Sequence, residues 1–422
     1  MRVRQLFIAL LISSLGAACA GEAEESSVET SDAVADCPRE AIPPELPEVP
    51  PLDEGPPVLR PAVLGHGMIW MDRNILETQG EPDAAAATQS GIIRSRGDSI
   101  GLDLVDWRTK DAVDLLAIHR DLAIAIHLTP KQVCNKRIRA GILAEEPPAL
   151  ALTFTEARRG LKKLPGCLAD LGFVALHLVV PDADEELVAG LAALPNLETL
   201  ILQTSDLSDQ GIAALGRVTG LRTLDLGGAG SARGLASLES LTSLESLGLF
   251  GAALTDEALE HLPNPRGLRR LDLGFTGIGD RGLESLGRCV ELRSLGLWHT
   301  DVTDTGLAAL APLKHLVALD LAGTEVGDAG ILTLSGHTSL RRLDLTKTRV
   351  TDSSLAILVA LPALERLDLG GTAVTDRGLL SLAAFPRLRR VDLWGTEVST
   401  DAVNALRSCR PEMDIRAQCA QD

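Results

Sequence analysis

The chain has no tyrosine, six phenylalanines, four tryptophans and four methionines among its 422 residues. Aromatics make up 2% of the sequence, while hydrophobic residues as a whole reach 45%. The core must therefore be aliphatic, with leucine foremost, and this points away from an aromatic-rich β-sandwich. No Walker sequence, H-E-x-x-H or G-x-S-x-G is present, so P-loops, zinc-peptidase helices and nucleophile elbows have no support. The seven cysteines include no C-x-x-C and no Cys/His metal spacing, so neither a zinc site nor a cofactor is expected. Cationic residues are scarce as well: 40 Lys and Arg against 58 Asp and Glu leave a net charge of −18, which argues against a nucleic-acid partner.

What is present begins with an export signal over residues 1–20. Arg2 and Arg4 precede an apolar run over residues 6–18 that is too short to span a bilayer. LGAAC, ending at Cys19, resembles a bacterial lipobox, in which the cysteine is lipidated and becomes the mature N-terminus. Gly16 stands where that motif usually has leucine, and Ala18-Cys19-Ala20 also suits ordinary signal peptidase. Lipid anchoring at Cys19 in the cell envelope, at the outer membrane, cell surface or periplasm, and plain secretion are the two readings. Residues 21–62 carry eleven acids against Arg39 and Arg60, together with nine prolines. Such a segment buries too little apolar area to fold, and its prolines keep it extended, so it reads as a disordered tether. An oxidising compartment allows disulfides among the remaining six cysteines, and Cys409 with Cys419 is the easiest pair to credit, because both lie in the C-terminal tail.

From residue 173 to residue 410 the sequence repeats. Rows begin at Leu197, Leu221, Leu244, Leu268, Leu292, Leu316, Leu340, Leu364 and Leu388, each 24 residues long except the second, which has 23. Phe173 opens a looser row, giving about ten in all. The template is L-x-x-L-x-L-x-x-T-x-V-T-D-x-G-L-x-x-L, as in LDLGGTAVTDRGLLSL at residues 367–382. These rows resemble the leucine-rich repeat family over about 240 of the 422 residues. The T-x-V-T-D-x-G-L half is similar to the short cysteine-containing or F-box-associated subtype, in a bacterial form. Threonine replaces that family's usual asparagine or cysteine at the ninth position, at Thr276, Thr300, Thr324, Thr348, Thr372 and Thr396. The resemblance implies an α/β solenoid whose concave face is a curved parallel sheet and whose convex face carries the helices.

The residues support this without the family name. L-x-L alternates as a strand with one buried face requires, and the later apolar positions change to helical spacing. A single row cannot cover its own leucines, so rows must stack about 4.8 Å apart into a rod of about 45 Å. The ninth-position threonine is expected to bond backbone groups in the turn. The Thr/Ser-Asp pairs, such as Thr375-Asp376, are expected to cap the helix start. One aspartate per row recurs at positions 209, 256, 280, 304, 328, 352 and 376, which suits a frame rather than a reactive site; a calcium ladder would need more oxygens than one carboxylate per row.

Residues 63–172 lack the period and read as an N-terminal cap or small α+β region, with strands in DLAIAIHL (121–128) and ALALTF (149–154) and a helix in TEARRGLKKL (155–164). Residues 411–422 would close the last row as a C-terminal cap. Among the histidines outside the repeats, His66 sits in GHG and His119 lies near His127, which is seven residues from Cys134. The last pair could supply a Cys/His nucleophile, but no third orienting residue accompanies it. A hydrolase confined to residues 63–172 is thus one alternative. A ubiquitin-ligase-like substrate-recognition subunit is another, opposed by the export signal and by the lack of a recognisable F-box helix.

Recognition is expected on the outward strand positions. The fifth position carries Asp225, Asp272, Asp320, Asp344, Asp368 and Asp392, and the third carries Arg270, Arg342, Arg366 and Arg390. These columns either neutralise each other or form a charged surface for a complementary partner. At the seventh and eighth positions most residues are small, yet Phe250, Phe275, Trp298, His299 and Trp394 stand there. Clustered exposed aromatics anchor protein or sugar partners; the competing reading is that another part of the chain folds over them. The expected ligand-binding set is therefore Phe250, Phe275, Trp298, His299 and Trp394 with flanking Arg342 and Lys347, in a non-enzymatic module for a protein, peptide or glycan. Membrane contact would run only through the N-terminal lipid, and the oligomeric state is not readable.

Overall fold

The structure is a computed structural model, and it describes residues 183–417 apart from 195, 205 and 206, together with the segments 92–96, 99–103, 123–127, 130–137, 140, 150–154, 163–169 and 175–179. The expected signal, tether, Cys19, Cys37, His66 and His119 lie outside the described residues, as does Cys419.

Fifteen strands form one sheet in strict chain order. The first six are β1 (Ile92–Arg96), β2 (Ser99–Asp103), β3 (Ala123–His127), β4 (Leu150–Phe154), β5 (Ala175–Val179) and β6 (Thr199–Gln203). Three-residue strands follow: β7 (Thr223–Asp225), β8 (Ser246–Gly248), β9 (Arg270–Asp272), β10 (Ser294–Gly296) and β11 (Ala318–Asp320). The last four are β12 (Arg342–Asp344), β13 (Arg366–Asp368), β14 (Arg390–Asp392) and β15 (Asp414–Arg416). From β2 onward every pairing is parallel, and the register is that of the repeat: Leu271 faces Leu295, then Leu319, Leu343, Leu367 and Val391. Behind the sheet each row returns through a short helix, four to seven residues long in the rows from 209 to 379, sometimes extended by a 3-10 turn, as Asp304–Leu307 runs into Ala308–Leu310. Between the two layers lies one continuous core, nearly all leucine, with Phe385 as its one fully buried phenylalanine or tryptophan among the described residues. The fold is a leucine-rich repeat solenoid.

The template's polar residues fasten this stack. Each ninth-position threonine is buried and donates its hydroxyl to the carbonyl three residues back, at 2.5–2.7 Å in all six rows. Thr303, Thr351 and Thr375 cap their own helices through Oγ1, as expected. The following aspartate does something different. Its carboxylate reaches into the next row, where Asp280 accepts from the Thr303 N–H and hydroxyl at 2.7 and 2.6 Å, and Asp352 does the same from Thr375 at 2.8 and 2.7 Å. The glycine two residues after most of these aspartates makes room for the carboxylate of the preceding row, since a Cβ on Gly306 would meet Asp280 Oδ1 at 2.4 Å and one on Gly378 would meet Asp352 Oδ1 at 2.2 Å. Where Ser354 replaces that glycine, its hydroxyl bonds Asp328 instead. D-x-G is thus a two-row unit, and the aspartate that seemed to cap a helix is a staple between rows.

Both ends are closed by strands. β1 pairs antiparallel with β2 and ends the parallel run. In the region expected as an N-terminal cap or small α+β region, β2, β3 and β4 pair in parallel up to β5. β3 and β4 fall within the two stretches expected, whereas β1 and β2 were not anticipated; the helix expected at 155–164 lies mostly outside the described residues, and a helix runs over Leu164–Leu168. Cys134 is joined to Cys167, so its thiol is not the nucleophile that spacing to His127 suggested. Cys289 is the free cysteine among the described residues, buried in the core, where burial pushes its thiol up to about 11. At the other end β15 inverts the charge order of the rows: Asp414 faces Arg390 and Arg416 faces Asp392.

Candidate functional site

In the rows starting at 221 to 364 the eighth position ends the strand with a left-handed residue whose N–H donates to the seventh-position carbonyl of the next row, as Gly251 does to Gly274 at 2.8 Å and Gly371 does to Trp394 at 2.7 Å. Glycine meets this requirement at Gly228, Gly251, Gly323, Gly371 and Gly395, with φ between 67° and 82°. Phe275, His299 and Lys347 adopt the same conformation with side chains attached, at φ 55°, 52° and 56°. A side chain there costs on the order of 1–2 kcal/mol relative to glycine. All three belong to the expected ligand-binding set.

Phe250, Phe275, Trp298 and His299 form one cluster. Phe250 and Trp298 stack with centroids 4.9 Å apart and planes 9° from parallel. Phe275 stands edge-on to both, at 5.7 and 4.5 Å, and His299 leans on Phe275 at 4.6 Å. Two glycines that sequence reading did not single out form the floor. Trp298 lies across Gly274, where a Cβ would meet Nε1 at 2.0 Å, and His299 lies across Gly323, where a Cβ would meet Cε1 at 2.6 Å. The missing signal is visible in the rows themselves: each of these two rings has a glycine in a flanking row at its own position.

The members differ in exposure, and this corrects the expectation that all are contact anchors. Trp298 is only 6% exposed, a buried base for the others, whereas Phe275 is 40% exposed and His299 is exposed. Phe250 is half-buried. Burial first, and then the charge of Lys347, hold His299 below the ordinary histidine range, so at neutral pH its ring is uncharged. Trp394, 53% exposed, stands four rows from Trp298, about 19 Å along the sheet, and is not part of the cluster. Arg342 is half-buried, with Nη1 lacking a hydrogen-bond partner among the described residues.

The two aspartate columns have opposite electrostatics. On the helix side, burial would raise Asp328, but hydrogen bonds from Ser354 and Thr351 outweigh it and hold the carboxyl below its usual range. On the strand side, burial and neighbouring carboxylates dominate: Asp225 and Asp368 are pushed up to about 7 and Asp320 well above its usual value. Most strand aspartates also close the turn after the strand by accepting an N–H two residues on, at Gly227, Gly274, Ala322, Thr346 and Trp394. Asp368, expected to face outward freely, is 6% exposed and is held by Arg366 Nε at 2.9 and 3.2 Å. Mutual neutralisation of the Arg and Asp columns therefore operates at Arg366–Asp368 and, through the cap, at Arg390–Asp414 (2.8 Å).

A family model described as leucine-rich repeat matches residues 266–287, 313–335 and 361–383. A comparison with curated proteins finds no match. Among solved structures, an internalin (inlF) from Listeria monocytogenes is 18% identical with a TM-score of 0.47, over 77% of this chain and 87% of its own. Internalin C2 (inlC2) of the same species is 23% identical with a TM-score of 0.38, over 50% of this chain and 84% of its own. Each matched segment takes in the last two or three residues of one row and then the strand and helix of the next, so the 24-residue rows of this chain are leucine-rich repeats.

Proposed function

We propose that this chain is a non-enzymatic protein-interaction module whose concave face binds a protein or peptide partner through Phe250, Phe275 and His299, with Trp298 as their buried support. The observation that carries this reading is the left-handed backbone of Phe275 and His299. Glycine satisfies the same turn elsewhere in the stack, so a ring kept there against a conformational cost is kept for what it presents. The test is capture of partners from cell-envelope extract by the wild-type chain and by a Phe275→Ala/His299→Ala variant. Loss of a wild-type partner is expected, and unchanged capture would remove the surface from consideration.

We also propose export, with the module displayed in the cell envelope on a lipid at Cys19 and the acidic tether, and rows of the short cysteine-containing or F-box-associated-like subtype. The Cys134–Cys167 disulfide and the disulfide-bonded state of Cys409 support an oxidising compartment, and Cys419 is the proposed partner of Cys409. No helix among the described residues is long and apolar enough to cross a membrane. Palmitate labelling that persists in Cys19→Ser would sink the lipid anchor while leaving export intact.

A further inference from the structure

The five rows around the aromatic cluster share a pattern that the rest of the stack lacks. Their fifth positions read Asp225, Gly248, Asp272, Gly296 and Asp320, set side by side by the strand register. Their seventh positions read Gly227, Phe250, Gly274, Trp298 and Ala322. Carboxylates and rings therefore alternate out of phase, each in a row where the other position is small. The carboxylates lean over the intervening glycines: a Cβ on Gly248 would meet Asp225 Oδ1 at 2.7 Å, and one on Gly296 would meet Asp272 Oδ1 at 2.8 Å. At the third position these rows hold Thr223, Ser246, Arg270, Ser294 and Ala318, one cation facing three acids.

We propose that this part of the concave face docks an extended polypeptide segment rich in lysine or arginine, a partner chemistry that rests on the interaction reading above. Lysine and arginine carry methylene stems that cover apolar rings, and their charges are attracted both to ring faces and to carboxylates. Ring and carboxylate stand in adjacent rows, two residues apart along the strand direction and one strand across, about 8 Å, which is within the reach of such a side chain. An acidic partner would meet crowded carboxylates, and like charges brought together oppose association. A neutral glycan would use the rings but leave the acids without a counterpart.

Binding of fluorescent hexalysine to the full chain tests this by anisotropy. At pH 8, above the raised value of Asp225, D225N/D272N/D320N should weaken it at least about tenfold, because asparagine keeps the turn-closing acceptor and takes away the carboxylate. Phe250→Ala/Phe275→Ala should weaken it too, whereas Glu284→Gln/Glu291→Gln/Asp401→Asn, on exposed residues of the helix side, should not. Burial and Asp272 push Asp225 up to about 7, so docking of a cation must release a proton there, and affinity should rise from pH 6 to pH 8. Equal loss in the helix-side control, undiminished binding in the triple variant, or preference for hexaglutamate or chitohexaose would overturn the assignment. If hexalysine fails while Phe275→Ala/His299→Ala still abolishes partner capture, the cationic chemistry falls and the interaction surface stands.

Discussion

Two halves of one concave face are built on the same backbone and differ in what that backbone leaves free. Rows 340–388 place an Asp two residues after each Arg, at Arg342/Asp344, Arg366/Asp368 and Arg390/Asp392, and β15 closes the columns with opposite charges. Rows 221–316 break the Arg column, thin the Asp column with glycines and set aromatic rings into the gaps. The register continues unchanged across both. Stacking is thus carried by leucine, threonine and the D-x-G staple, and these leave the strand-end positions free to diverge without disturbing the fold. What identifies a binding region in such an array is departure from the row next door.

The largest expected contrast is between the two tryptophans. Trp298→Ala removes a buried ring from between Phe250, Phe275 and His299 and should destabilise by about 3–5 kcal/mol. Trp394→Ala, at an exposed position of the other half, should stay within about 0.5 kcal/mol. Urea unfolding followed by far-UV circular dichroism reads both, and equal costs would mean that the halves are not built differently.

A subtler break separates two glycines at the same position of their rows. In Gly274→Ala the new Cβ meets the Trp298 indole at 2.0 Å and must displace it, whereas in Gly227→Ala it meets Gln203 Cγ at an ordinary 3.6 Å. The first should cost about 1–3 kcal/mol by overpacking and perturb the near-UV tryptophan signal; the second should do neither.

The fold was largely legible in the sequence because each structural requirement recurs once per row, and repetition turns a weak local signal into a strong one. The strands, helices, register and threonine turns could all be anticipated for that reason. The staple was misread because Asp280 and Thr303 are 23 residues apart, and a pattern read within one row cannot show a bond made between two. The site was half legible. Aromatic departures at positions 250, 275, 298 and 299 drew attention, but their floor is Gly274 and Gly323, residues that look like filler until a ring lies on them. The burial of Trp298 beneath its neighbours and the capture of Asp368 by Arg366 depend on side-chain direction, on which alternation in a strand is silent.

The aromatic half should also titrate. It holds two of the three strand aspartates with raised values, Asp225 at about 7 and Asp320 well above the ordinary range, each chiefly through burial; Asp368, in the other half, is opposed by Arg366. A carboxyl whose folded value lies above its unfolded 3.8 binds more protons when native, so its contribution is present at low pH and is lost as pH rises through about 7. The melting temperature should therefore climb as pH is lowered from 8 to 5, and Asp320→Asn should raise it at pH 8 while flattening the slope. A melting temperature that falls steadily over that interval in the wild type would show that these carboxyls are ionised throughout.

The smallest expected effect separates strain kept for a cluster from strain kept without one. Lys347, Phe275 and His299 share a left-handed backbone, but Lys347 is exposed and belongs to the half without the aromatic cluster. Lys347→Gly should stabilise by up to about 1 kcal/mol, because glycine adopts that conformation freely. His299→Gly gains the same relief and loses ring contacts to Phe275 at 4.6 Å and Trp298 at 5.8 Å, so its net change should be close to zero or destabilising. The urea midpoint at unchanged m-value measures both. If His299→Gly stabilises as much as Lys347→Gly does, the rings add nothing to the fold where they stand, and the imidazole is held there for its partner alone.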